Sequence, residues 1–304
     1  MRTKGHRETL KNVDLVLSVG MDVFEDVFYW GNMFSDPTIK LVHIDSAGNR
    51  VGRTEPTSLG IVSHCGLALQ ELVSTLKSQI GDDDREIVLE RLDKVKHECR
   101  ELRISLEESA AERWDSVPMI PDRMMAELAK AIPENAIVVD DSVSNRAALR
   151  QYVPATARQD IRGVRGQSIG GGIGATMGTQ CANPDRPVFG VIGDGSAMMT
   201  IQGLWTAAND DIPCIFVICN NGMYRVLRVN FDVYQRDILK ETEPAGRNLL
   251  YSDFPTPFDM AAIATSMGVH GERIVDPNEI GPAVERALAS KKPALLDIVI
   301  DGSL

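Results

Sequence analysis

The 304-residue sequence has no C-x-x-C pair, few aromatic residues, no excess of positive charge and no apolar run long enough to cross a bilayer. Each absence excludes something. The five cysteines, Cys65, Cys99, Cys181, Cys214 and Cys219, are odd in number and lack metal-ligand spacing. That argues against a disulfide framework and a zinc site, and for a reducing compartment. Cys214 and Cys219 lie in an apolar run and read as small buried hydrophobes. The opening MRTKGHRETLKN carries no apolar signal core, so the expectation is a cytoplasmic protein without a membrane partner. A net charge of −11 argues against a nucleic-acid groove. It leaves room for an anionic ligand, because backbone amides and a bound cation can hold phosphate locally.

What is present is material for a core: 43% of residues are hydrophobic and 25% charged, the balance of a globular protein. Three zones follow along the chain. Residues 1–80 carry strand-like VDLVLSVG (13–20) and IKLVHID (39–45) and helix-spaced GLALQELVSTL (66–76). This reads as a partial Rossmann-like domain whose half-sheet would leave an open apolar edge. Residues 81–117 are rich in charges of both signs, with Glu90 and Lys94 at helical spacing, and read as a solvated connecting helix. Residues 118–304 form a second βα series. AIVVDD (136–141), PVFGVIGDG (187–195), PCIFVICNNG (213–222) and PALLDIVID (293–301) read as strands; helices fit 122–131, 198–209, 258–267 and 278–290. Continuously apolar strands alternating with helices predict an α/β fold with a parallel sheet covered on both faces.

The chemistry concentrates at two strand ends. Asp194 closes one strand between Gly193 and Gly195; Asn220 and Asn221 close the next. Right-handed crossovers bring both tips to the carboxyl edge of the sheet, where open α/β folds bind ligands. A carboxylate and an amide oxygen are hard donors suited to Mg²⁺, which keeps positions free for phosphate oxygens and water. The flanking glycines allow a close approach of backbone to ligand. Ser196 opens the next helix, where free N–H groups favour an anion. The pattern describes a diphosphate clamp.

Gly-Asp-Gly followed at this interval by Asn-Asn resembles the signature of thiamine-diphosphate enzymes. The glycine-rich SIGGGIGATMGTQCANPDRPVFGVIGDGS (168–196) and GLWTAANDDIPCIFVICNNGMYRVLR (203–228) resemble the benzoylformate decarboxylase and acetolactate synthase group. The resemblance implies thiamine diphosphate and Mg²⁺ as cofactors. It implies Asp194, the Asn221 side chain and the Met223 main-chain oxygen as metal ligands, and Gly193, Gly195, Ser196 and Ala197 against the diphosphate. It places Ile169 beneath the cofactor as the bulky residue that bends it, where a core position is the alternative. Asp141, Ser142 and Ser144 fall where the family contacts cofactor or substrate, although Ser144 could equally cap a helix.

Other residues read as structure. Met198 and Met199 suit helix packing, Trp205 suits the core, and His43 and His64 show no metal spacing. Arg225 and Arg228 could meet an acidic substrate or solvent. The resemblance also implies a glutamate, from a pyrimidine-binding domain, that assists cofactor ionisation; residues 1–80 match the central domain instead. The activating glutamate is therefore expected from another chain, in a homo- or hetero-oligomer acting on a 2-oxo acid. A truncated gene product and a non-catalytic cofactor-binding remnant are the alternatives. GMDVFEDVFYW (20–30) offers no counterpart of the benzoylformate decarboxylase histidine, and GMYRVLRVN replaces the run typical of acetolactate synthase. The sequence leaves decarboxylation and carboligation open.

Overall fold

The computed structural model describes residues 10, 13–21, 38–153, 161–163, 168–240 and 249–303. Residues 22–30, where the family histidine was sought, lie outside the described residues. The chain divides into two compact units, 1–101 and 102–304.

The first unit holds three parallel strands in the order β1 (Leu15–Val19), β2 (Lys40–Asp45), β3 (Leu59–Val62). Leu41 and Ile44 on β2 are buried, while Leu15, Leu17, Leu59 and Val62 on the edge strands are exposed. Apolar side chains on both flanking strands thus meet solvent. His43 is held structurally: one ring nitrogen contacts the Met21 carbonyl at 3.0 Å and the other accepts the Gly52 N–H at 3.4 Å. His64 caps helix α1 (Cys65–Gln79) by accepting the Leu67 N–H. The charged span that follows is one 30-residue helix, α2 (Asp82–Ala111).

The second unit is an α/β/α sandwich. After α3 (Pro121–Ala131) come β4 (Ile137–Asp141), α4 (Arg146–Tyr152), β5 (Ile161–Gly163), α5 (Gly172–Ala182), β6 (Val188–Gly193) and the short α6 (Asp194–Met198). Then follow α7 (Gly203–Asn209), β7 (Ile215–Asn220), α8 (Arg225–Val233), α9 (Met260–Ser266), β8 (His270–Ile274), α10 (Ile280–Ser290) and β9 (Ala294–Val299). The six strands are all parallel, in the order β5-β4-β6-β7-β9-β8.

Alternation along the strands divides the core. Phe189, Val191, Val217 and Cys219 pack with Met124, Leu128, Leu149, Ile280 and Val284 of α3, α4 and α10. Ile192, Phe216 and Ile218 pack with Ile173, Leu204, Met260 and Ala264 of α5, α7 and α9. Both sheet faces are covered, which is why β6 and β7 read as unbroken apolar runs. Trp205, expected in this core, instead stands on the solvent side of α7 with 60% of its surface exposed, while its neighbour Leu204 takes the inward position.

Candidate cofactor site

Register fixes the site. Asp141 lies opposite Ile192, and Gly193 opposite Cys219, so the tips of β4, β6 and β7 end together at one edge of the sheet. Asp194 begins α6 directly beyond β6 and is buried. One carboxylate oxygen accepts the Gly195 N–H and the other the Gly222 N–H, each at 2.7 Å. Burial pushes its pKa up to about 6, although those N–H donors act in the opposite direction.

Asn220 and Asn221 have different tasks. Asn220 is buried; its amide donates to Asp297 at 2.7 Å and to the Phe258 carbonyl at 3.0 Å, which ties β7 to β9. Asn221 is half-buried, and its side-chain oxygen accepts the Met223 N–H at 3.1 Å in a tight local turn. That turn is braced by residues 252–254. Ser252 accepts the Tyr224 N–H at 2.7 Å, and the Phe254 N–H donates to the Gly222 carbonyl at 2.8 Å. The Tyr224 ring meets Phe254 edge-on, with centroids 4.9 Å apart. A Cβ on Gly195 would lie 2.4 Å from the Tyr224 ring, so glycine is required there by protein packing itself.

A second network joins β4 to the glycine-rich segment. The Asp141 carboxylate accepts the Gly172 N–H at 2.9 Å and the Ser196 hydroxyl. The Ser196 oxygen in turn accepts the Gly170 N–H at 2.8 Å. Burial raises the Asp141 pKa. Gly170 adopts φ +98°, and its carbonyl accepts the Thr200 hydroxyl at 2.7 Å. Pinned from both sides, it sets Ile169 at the start of this corner with 38% of its surface exposed, so Ile169 is not a core residue. Ala197 is buried behind it, packed with Ile173 and Leu204.

Ser142 and Ser144 separate. The Ser142 hydroxyl donates to Asp140 at 2.7 Å, and Asp140 also pairs with Arg146 at 2.7 Å. Ser144 is half-buried and caps nothing; α4 starts from Asn145 without a side-chain cap. Val143 between them has φ +52°, a strained conformation for a β-branched residue. The two arginines are committed to protein partners. Arg228 binds Asp253 at 2.7 Å and Ser252 at 3.2 Å; Arg225 donates to the Ser303 carbonyl at 3.0 Å. Sequence reasoning missed the whole 252–254 brace, because its partners lie some thirty residues upstream and no local pattern marks them.

The donor set suits a hard cation. Two other buried carboxylates of this unit have an arginine: Asp140 has Arg146, and Asp297 has Arg273 at 3.0 Å. Among the described residues Asp194 has none, and a buried carboxylate wants either a proton or a cation. No three His, Cys, Asp or Glu side chains gather for a metal among the described residues. A cation at Asp194 would thus draw on an amide and a main-chain oxygen, which is Mg²⁺ rather than zinc chemistry.

Comparison with known proteins shows the family of the chain. The family model described as thiamine pyrophosphate enzyme, C-terminal TPP binding domain, matches residues 141–298. A Mycobacterium tuberculosis chain named as a candidate acetolactate synthase large subunit, IlvX, is 37% identical over 169 residues, covering 56% of this chain and 32% of that one. Benzoylformate decarboxylase of Pseudomonas aeruginosa is 27% identical over 294 residues, covering 97% of this chain and 50% of that enzyme. Among solved structures, the thiamine diphosphate-dependent 4-hydroxybenzoylformate decarboxylase of Rhodococcus jostii RHA1 aligns with a TM-score of 0.73 at 25% identity, covering 97% of this chain and 50% of that one. The chain spans about half the length of the curated relatives it matches. Among the described residues, no helix is long and apolar enough to cross a membrane.

Proposed function

Because the chain belongs to the thiamine pyrophosphate enzymes through their C-terminal TPP-binding domain, we propose that it binds thiamine diphosphate through Mg²⁺ at the tips of β6 and β7 and serves a 2-oxo-acid decarboxylase or carboligase. The observation that carries this reading is Asp194: a buried carboxylate without a cationic partner among the described residues, facing the Asn221–Met223 turn. Asp194, the Asn221 side chain and the Met223 carbonyl would hold the metal. In the first turn of α6, Ser196 and Ala197 would offer N–H groups to the diphosphate, and Gly193 and Gly195, the latter's N–H held by Asp194, would lie against it. Ile169, exposed beside that turn, would support the cofactor from below. When bound, thiamine diphosphate supplies a nucleophilic thiazolium carbon and an electron sink for loss of CO₂ from a 2-oxo acid.

This chain's own residues orient and screen. The Asp141–Ser196–Gly170 network fixes the glycine-rich segment against α6, and the Tyr224–Phe254 pair walls the site on the β7 side. None of the residues that the site draws on, Phe254 included, is a glutamate. We therefore assign the proton-transferring glutamate to a second polypeptide, in a homo- or hetero-oligomer. A non-catalytic cofactor-binding chain is the competing reading. Titration calorimetry with thiamine diphosphate and Mg²⁺ tests the site: Asp194→Ala should abolish Mg²⁺-dependent binding, and unchanged affinity overturns the assignment. Native mass spectrometry of the complex from its source tests the rest. Cofactor bound together with a second polypeptide supports the split enzyme; cofactor on the chain alone supports the non-catalytic reading, and the chain without cofactor overturns both.

A further inference from the structure

Helix α2 is solvated along nearly its whole length: every residue from 82 to 109 is exposed, and Ala110 alone is buried. A helix serving only as a solvated connection needs no ordered apolar repeat. Yet Val88, Leu92, Val95, Cys99, Leu102 and Leu106 recur at alternating intervals of four and three. This is the heptad spacing that keeps one seam facing a partner helix. In heptad letters Val88, Val95 and Leu102 are d positions, and Leu92, Cys99 and Leu106 are a positions. The five aliphatic members are 43–61% exposed, and Cys99 is exposed as well.

We propose that α2 is an assembly surface that pairs in parallel and in register with α2 of a second copy of this chain. An in-register second copy presents the same six apolar layers, so every seam residue meets its equal. Charge chooses the direction. Parallel pairing sets Glu98, at g, against Arg103, at e, of the second copy, and twofold symmetry makes this contact twice. It also brings Arg91 towards Lys96, but Asp93 already holds the Lys96 ammonium at 3.6 Å within the helix. Antiparallel pairing with the same six layers would set Glu98 against Glu98 and Lys96 against Lys96, and it would lose the attractive Glu98–Arg103 contact between copies. Valine at d with leucine at a also packs in bundles of more than two helices. Copy number is therefore read against a seam variant rather than assumed. The inference is independent of the cofactor reading, since α2 supplies none of the proposed ligands.

The full-length chain tests it. Sedimentation equilibrium should give at least twice the 33.3 kDa chain mass, and Leu102→Glu should lower the association constant at least tenfold. Far-UV circular dichroism should stay unchanged, because position 102 is solvent-exposed. Diamide, which removes one hydrogen from each of two thiols, should close a Cys99–Cys99 disulfide between copies, and Cys99→Ser should prevent it. A monomer overturns the proposal. So does an oligomer that Leu102→Glu leaves intact and that forms no Cys99 disulfide. An oligomer weakened by Leu102→Glu but without that disulfide overturns the parallel register.

Discussion

The Asp194 carboxylate accepts the Gly222 N–H at 2.7 Å, a hydrogen bond across 28 residues that locks the tip of β6 to the turn after β7. The proposed metal ligands are thus preset by the protein, at the cost of a buried charge.

That cost has a pH signature. The folded-state pKa of Asp194, about 6, lies above its ordinary 3.8 because burial disfavours the charged form. In the cofactor-free protein the native state then holds the proton more tightly than the unfolded state. The sign follows: the contribution is favourable at low pH and is lost as pH rises from about 4 to about 6, by roughly 3 kcal/mol in all. Asp194→Asn should remove that slope. Urea unfolding of both proteins without Mg²⁺ across this range measures it, and parallel stability profiles would show that Asp194 carries no such burden.

Gly195 and Tyr224 should behave as a coupled pair. Gly195→Ala pushes a methyl into the Tyr224 ring and should destabilise the fold by about 1–3 kcal/mol. Tyr224→Leu in the same chain should restore part of the loss, since neighbours in contact are not additive. A double-mutant cycle by thermal unfolding decides; additive effects would mean that the ring is not what excludes a side chain at 195.

Arg228 should act through the brace and not through substrate. Arg228→Met frees Asp253 from its ion pair and loosens the strand-like contact between Met223 and Asp253. On the proposed reading, Mg²⁺-dependent cofactor affinity should fall about tenfold, with Arg228→Lys recovering part of it. An unchanged Kd by calorimetry would leave the pair a surface contact.

Thiol reactivity should follow burial. Cys181 is exposed and should react readily with a thiol reagent under native conditions, whereas Cys99, exposed in the single chain, should do so once α2 is unpaired. Cys214 and Cys219 are buried, and burial pushes both thiols well up, Cys214 to about 12, so both should react only after unfolding. Prompt native labelling of either would mean that the β7 core opens readily.

The central strands and their tips were legible because β4, β6, β7 and β9 are apolar on both faces and end in residues with recognisable chemistry. The edge strands of this six-stranded sheet were not. β8 carries Glu272 and Arg273 and is half-solvated, so HGERI has no strand-like run of its own, and β5 is only three residues long. Among the candidate site residues, Asp194 and Asn221 stand out through the motif. The roles of Asp141, Ser196 and Gly170 depend on one hydrogen-bond chain across three separate segments, which no local pattern encodes. Trp205 was misplaced because helical periodicity fits either Leu204 or Trp205 as the inward residue, and only packing against the Phe216 face of the sheet selects the leucine.

The strand order carries one more consequence. β6 and β7 are the third and fourth of six strands, each hydrogen-bonded on both sides. Local opening by fraying can proceed inward from β5 or β8, but reaches these two last. Their amides should be the slowest of the unit to exchange with deuterium, while β5 exchanges early. The tips that would meet the cofactor are therefore borne by the part of the molecule that opens least often, and breathing at the rim of the sheet need not disturb them.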